Sequence, residues 1–126
     1  MIVLATVFVT LAAALHIAIF LMESVGWSRP TVWKRFGVAS QAAADTTRPM
    51  AYNQGFYNLF LAIGAIVGLV LYGIGMHGPG LALILFTTAS MTAAAIVLVT
   101  TGRGYVRPAL IQGTLPLIGF VLMLLP

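Results

Sequence analysis

The chain has 126 residues, room for one domain, and 61% of them are hydrophobic while 6% are charged. Together with a mean hydropathy of +1.09, this composition excludes an ordinary soluble protein and indicates an integral membrane protein. The net charge of +4 indicates contact with anionic lipid and no nucleic acid partner, because the basic residues are confined to two connections between apolar segments. The chain contains no cysteine, which excludes disulfides and thiolate chemistry.

The first apolar segment, residues 2–22, carries no charge and is long enough to cross a hydrocarbon core of about 30 Å. No basic residue precedes it, and it is longer than the apolar part of a signal peptide, so we predict a retained transmembrane helix. On a helical wheel, His16 and Glu23 share one face with Ala5, Val9 and Ala12. We assign that face to the protein interior.

Residues 23–50 form the one substantial polar segment. Within it, residues 30–36 place a tryptophan and a phenylalanine beside two cations, a pattern that predicts a short helix lying on the membrane surface. The alanine-rich residues 40–45 predict a further helical turn or two. Thr47 and Pro49 suit a helix cap and a first turn, so we predict that the second span begins just after them.

Three further spans are predicted at residues 52–75, 81–100 and 109–125. The expected fold is therefore all-α: one integral membrane domain, residues 1–126, built as a four-transmembrane-helix bundle with a short interfacial helix in the first loop. All Lys and Arg residues lie in the first and third connections. The positive-inside rule then places both connections in the cytoplasm and both termini on the non-cytoplasmic side of the cell (inner) membrane.

Polar side chains gather near the cytoplasmic ends of these spans, whereas the outer half is almost purely apolar. The candidate ligand-binding residues are His16, Glu23, Asn53, Gln54, Tyr57, Asn58, Arg103 and Gln112. An amide left unpaired away from water costs about 1 to 3 kcal/mol, so these groups need partners. Pro116 also frees the carbonyl of Gln112 from its helical hydrogen bond. The pattern predicts a polar cavity open to the cytoplasm.

The order of these residues is similar to that of a known family. The chain resembles the small four-helix bacterial membrane proteins classed as domain of unknown function 1304 in four motifs: His16 with Glu23, Phe36-Gly37, Asn53-Gln54-Gly55-Phe56-Tyr57-Asn58 and Gln112-Gly113-Thr114-Leu115-Pro116. The resemblance covers nearly the whole chain. It implies the four-helix architecture and the polar cluster but no reaction, since that family has no settled activity.

Three functions remain open from the sequence. We favour a protein that binds a small polar or amphiphilic ligand, such as a lipid headgroup, as a carrier or transport component, and we expect a homo-oligomer or a membrane partner. The first alternative is an enzyme that uses His16 and Glu23 as acid and base. The second is a structural accessory subunit, whose polar face is covered by another protein. If Glu23 has no functional role, we expect it to pair with Arg103 or Arg107 at the membrane interface. We expect no cofactor. We also expect no metal, because His77, the other histidine, lies on the opposite side of the membrane from Glu23, which excludes a site of two histidines with Glu23.

Overall fold

The computed structural model describes all 126 residues, and its regular structure is entirely helical. Helix α1 spans Ile2–Phe20 and continues as one π-helical turn, Leu21–Val25. The short helix α2, Pro30–Trp33, is followed by a 3-10 turn, Lys34–Phe36. Helices α3, α4 and α5 span Gln41–Gly73, His77–Thr100 and Val106–Leu124, with a 3-10 turn at Arg103–Tyr105. Helix α1 with its π turn, α3, α4 and α5 are long and apolar enough to cross a membrane, which confirms the predicted fold class.

The four long helices form a ring in which each packs against two neighbours. Helix α1 packs against α3 and α5, and α4 packs against the same two helices from the other side, while α1 and α4 barely touch across the diagonal. The core is built largely from small side chains, which let helices approach closely in lipid. Its buried members are Ala5, Val9, Ala12, Ala13, Ala62, Ala65, Ile84, Met91 and Met123.

Glycine contacts hold different helix pairs together at the two ends of the bundle. We call the end with the two basic connections the basic end, and the end with both termini and the α3–α4 turn the tail end. Toward the tail end, a β-carbon at Gly68 would lie 3.0 Å from the Gly80 carbonyl of α4, and one at Gly119 of α5 would lie 3.0 Å from Val9 of α1. At the tail end, α3 therefore packs closely against α4, and α5 packs closely against α1.

Toward the basic end the close contacts join the other pairs. A β-carbon at Gly55 of α3 would overlap Ser24 of α1, and one at Gly113 of α5 would lie 2.7 Å from the Ala95 side chain of α4. At this end the close glycine contacts therefore form an α1–α3 pair and an α4–α5 pair.

The start of α3 corrects the sequence-based prediction. The helix begins at Gln41 instead of near residue 52, because the Ser40 hydroxyl caps it by accepting a hydrogen bond of 3.1 Å from the Ala43 amide. Pro49 lies inside the helix, where it removes one backbone donor. The helix nevertheless continues to Gly73, and Ala44 and Ala51, on either side of Pro49, are both packed in one buried cluster.

That buried cluster, here called the tryptophan cluster, joins the first connection to the start of α3 and contains Trp27, Trp33, Ala44 and Ala51, with Phe36 packed against it. The Trp27 indole donates a hydrogen bond of 2.9 Å to the Ala44 carbonyl, and the Trp33 indole donates one of 3.1 Å to the side chain of Gln41. Residues 30–36 are helical as predicted, but Trp33 is buried in the protein. The basic connection is therefore folded onto α3.

Candidate functional site

A cavity of about 420 Å³ lies at the basic end, between the α1–α3 pair and the α4–α5 pair. All four long helices and both 3-10 turns contribute to its wall. The lining residues are Glu23, Phe36, Gln54, Ala94, Val97, Leu98, Thr101, Tyr105, Pro108 and Gln112. The position matches the polar cavity that the sequence predicts, at the end where both basic connections lie.

Glu23 enters the cavity from the π turn of α1. A π turn widens the helix locally and changes the direction of its side chains, and such turns are frequent at functional sites. The Asn58 side-chain amide donates a hydrogen bond of 2.9 Å to Oε2 of Glu23 and a second of 3.1 Å to the Gln54 carbonyl. Glu23 is thus held by a neutral amide from α3, and the expected ion pair with Arg103 or Arg107 is not formed.

Aromatic and hydroxyl groups complete the wall. The Phe36 ring lies 5.2 Å from the Trp27 ring, centroid to centroid, so one side chain belongs both to the tryptophan cluster and to the cavity lining. Tyr105 comes from the 3-10 turn before α5. The Thr101 hydroxyl donates to the Leu98 carbonyl at 2.7 Å, which leaves its oxygen free to accept a hydrogen bond from a ligand.

His16 is fully buried and lies outside the lining. Its Nδ1 is 2.8 Å from the Ala12 carbonyl, and because a carbonyl only accepts, Nδ1 carries the proton and Nε2 is an acceptor. No protein group donates to Nε2. The imidazole is therefore held in one tautomer with a free lone pair inside the bundle.

The packing of α1 against α5 places His16 relative to the cavity. Val9 and Gly119 touch, and the two helices run in opposite directions. His16 lies seven residues after Val9, and Gln112 lies seven residues before Gly119. Because the helices are antiparallel, both steps run about 10.5 Å in the same direction, so His16 and Gln112 lie at the same depth and on the faces by which α1 and α5 contact each other. Gln112 lines the cavity, so His16 lies behind that part of the wall.

The structure brings together only part of the predicted residue set. Glu23, Gln54 and Gln112 line the cavity, and Asn58 is bonded to Glu23. Asn53, Tyr57 and Arg103 lie outside the lining, and the Tyr57 side chain is 57% exposed.

The inward face of α3 explains why Asn53 and Tyr57 lie outside. It is marked by Ala51, Gly55 and Ala62. Asn53 and Tyr57 are two positions from Gly55, which turns them about 200° away around the helix.

Seven lining residues were not among the predicted ligand-binding residues. These are Phe36, Ala94, Val97, Leu98, Thr101, Tyr105 and Pro108. Phe36 lies in the Phe36-Gly37 motif that carries part of the family resemblance, and Gly37 ends the 3-10 turn with a φ of 75°, a value that glycine adopts most easily. Val97 and Leu98 of α4 could not be predicted from the sequence, because an apolar residue in a membrane span can face lipid, protein or a cavity.

The arrangement offers hydrogen bonding and charge recognition. It combines a carboxylate, two amides, two hydroxyl groups and apolar surface. No three His, Cys, Asp or Glu side chains are grouped as metal ligands. His16 and Glu23 are two helical turns apart, about 10.5 Å along the axis, so the two do not meet at one reacting group.

A family model described as "Protein of unknown function (DUF1304)" matches residues 10–124, which include the whole cavity lining. No curated protein and no solved structure matches the chain.

Proposed function

The chain belongs to the DUF1304 family, and from that premise we propose that it binds a small polar or amphiphilic molecule in the cavity at the basic end, as a carrier or transport component. The family description assigns no activity, so the observation that supports the proposal is the cavity. A polar space inside an apolar bundle costs stability unless its groups are paired. Here Glu23, Gln54 and Gln112 converge on a space large enough for a small molecule.

The chain is a multi-pass membrane protein by the length and hydropathy of its helices, and its basic connections share one end. The positive-inside rule supports placing that end, and with it the cavity, on the cytoplasmic side of the cell (inner) membrane. Both termini then lie on the non-cytoplasmic side.

A pathway across the membrane needs more than one copy of this bundle. Beyond the cavity the interior is closed by Ala5, Val9 and Ala65, which are fully buried. The contact between Gly119 and Val9 leaves no space between α1 and α5 there. We therefore expect a homo-oligomer or a membrane partner in any transport cycle.

The experiment is native mass spectrometry of the protein released from lipid nanodiscs. The test variant is Gln54→Leu with Gln112→Leu, which removes two lining amides. The matched control is Asn53→Leu, because Asn53 is an amide beside Gln54 in sequence but outside the lining. A stoichiometric extra mass in the wild type and the control that is lost in the test variant supports the proposal. Bare protein in all three contradicts it and favours the accessory-subunit alternative.

A further inference from the structure

The charge of the cavity wall restricts its ligand. The lining contains one Glu, Glu23, and no Asp, Lys, Arg or His. None of the six Lys and Arg residues of the chain therefore lines the cavity. Its hydrogen-bond partner, the Asn58 amide, is neutral. A carboxylate that is partly removed from water and held by an amide alone still lacks a compensating charge. A ligand that brings a positive charge would supply it.

The rings in the wall suit the same kind of ligand. Phe36 and Tyr105 both line the cavity, and aromatic faces attract ammonium groups through the ring quadrupole. Phe36 is held in place by its contact with the Trp27 ring, so this surface is preorganised. A carboxylate and aromatic rings around one space are the elements by which proteins recognise substituted ammonium ions.

One side of the cavity is apolar and uncovered. Ala94, Val97 and Leu98 line it from the membrane-spanning part of α4. The Val97 side chain is 61% exposed although it lies in this wall. The apolar side therefore continues to the surface of the span, where hydrocarbon surrounds the helix. An alkyl chain attached to the charged group fits along this side without leaving the apolar phase.

We infer that the cavity binds an amphiphilic ammonium cation, with the ammonium group at Glu23 between Phe36 and Tyr105 and the apolar chain along α4. This rests on the proposed function and narrows its ligand to one chemical class. The ammonium group has two sources, the headgroup of a zwitterionic ethanolamine lipid or a free alkyl amine. An anionic ligand is disfavoured because it would meet the Glu23 carboxylate and no lining cation.

The test uses octyltrimethylammonium as the probe and octyl sulfate as an anion of equal chain length. Saturable binding to the protein in nanodiscs is measured by titration calorimetry, with empty nanodiscs subtracted. We expect the cation and not the anion to bind. Glu23→Gln, which keeps an acceptor for Asn58, should weaken binding about tenfold, the effect of losing one charge-assisted contact of roughly 1.4 kcal/mol.

The matched control is Asp45→Asn. Asp45 is the one other acid in the chain, so both variants change the net charge equally, but Asp45 lies outside the lining and bonds to Gln41. Equal affinity of Glu23→Gln and wild type for the cation, or equal binding of octyl sulfate, overturns the inference. If the extra mass that depends on Gln54 and Gln112 is still present in that case, the ammonium inference fails and the proposed function stands. If native mass spectrometry finds no extra mass and calorimetry finds no saturable binding, the inference and the proposed function both fail.

Two nanodisc compositions identify the source of the ammonium group. An extra mass that equals phosphatidylethanolamine, disappears in phosphatidylglycerol nanodiscs and is lost in Glu23→Gln supports a lipid ligand. A mass of a free amine that persists in both lipids and is lost in Glu23→Gln supports a soluble amphiphile. A bound anion or neutral molecule that survives Glu23→Gln contradicts the ammonium class.

Discussion

Gly55 of α3 lies directly against Ser24 of α1, so closely that a β-carbon at position 55 would overlap the serine hydroxyl. That hydroxyl donates a hydrogen bond of 2.8 Å to the Tyr52 carbonyl, one turn before Gly55. Glu23 is the neighbour of Ser24 and is bonded to Asn58, one turn beyond Gly55. The contact therefore sets the position of the carboxylate in the cavity wall.

Gly55→Ala should destabilise the protein and displace this wall. The added methyl group would meet Ser24 Oγ and its backbone nitrogen, and overpacking of this kind costs about 1 to 3 kcal/mol. Thermal unfolding in detergent, followed by tryptophan fluorescence, measures the loss. Gly73→Ala on the same helix is the control, since nothing lies within 4 Å of its added carbon, and it should leave stability unchanged or slightly higher. Equal melting temperatures for the two variants would show that the Gly55 contact is not tight.

Trp27→Phe should loosen the first connection while the bundle stays folded. Phenylalanine keeps most of the packing but loses the hydrogen bond to the Ala44 carbonyl, at a cost of about 0.5 to 1.5 kcal/mol. Hydrogen exchange of residues 26–51 should become faster, and exchange in α4 should not change. Tyr52→Phe, which alters an exposed aromatic side chain at the same end, is the control. Unchanged exchange in Trp27→Phe would mean that the indole bond does not hold the connection.

The sequence predicts this fold well because a membrane span is recognised as a long apolar segment without charged residues, and that recognition does not require any knowledge of helix packing. The buried face of α1 is also predicted correctly, since Ala5, Val9, Ala12 and His16 are all buried. The buried face of α3 is harder to predict from the sequence. In a membrane both the core and the lipid are apolar, so hydrophobic periodicity does not separate them, and small residues such as Ala62 mark the interior better than polar ones.

The site was predictable only in outline. Glu23, Gln54 and Gln112 follow from polarity near the ends of the spans, and they line the cavity. Two features lay beyond sequence reasoning. The π turn at Leu21–Val25 has no recognisable composition, and the first connection is held on α3 by indole hydrogen bonds from Trp27 to Ala44 and from Trp33 to Gln41. The π turn carries Glu23 into the cavity wall, and the folded connection places Phe36 there.

The proposed orientation is testable because the chain has no cysteine of its own. Ala42→Cys places one thiol in the exposed start of α3, and Gly78→Cys places one at the exposed start of α4, at the tail end. In intact cells, a membrane-impermeant maleimide should label Gly78→Cys and should label Ala42→Cys only after permeabilisation. The cysteine-free wild type is the control for background. The reverse pattern would place the cavity on the outer side.

His16→Leu should make the protein more stable. The imidazole is fully buried and no protein group donates to its Nε2, and an unpaired buried polar atom costs about 1 to 3 kcal/mol. Leucine fills a similar volume without that atom, so we expect the free energy of unfolding to rise by about 1 kcal/mol. Denaturation of the purified protein in mixed micelles measures the change.

Thr88→Val is the comparison for His16→Leu, because Thr88 is equally buried but its hydroxyl donates to the Ile84 carbonyl at 2.6 Å. Removing a paired group should leave stability unchanged or lower it slightly. If His16→Leu instead loses more stability than Thr88→Val, then Nε2 has a hydrogen-bond donor in the membrane. Since His16 lies at the depth of Gln112, such a donor would extend the polar site from the cavity wall toward the centre of the bundle.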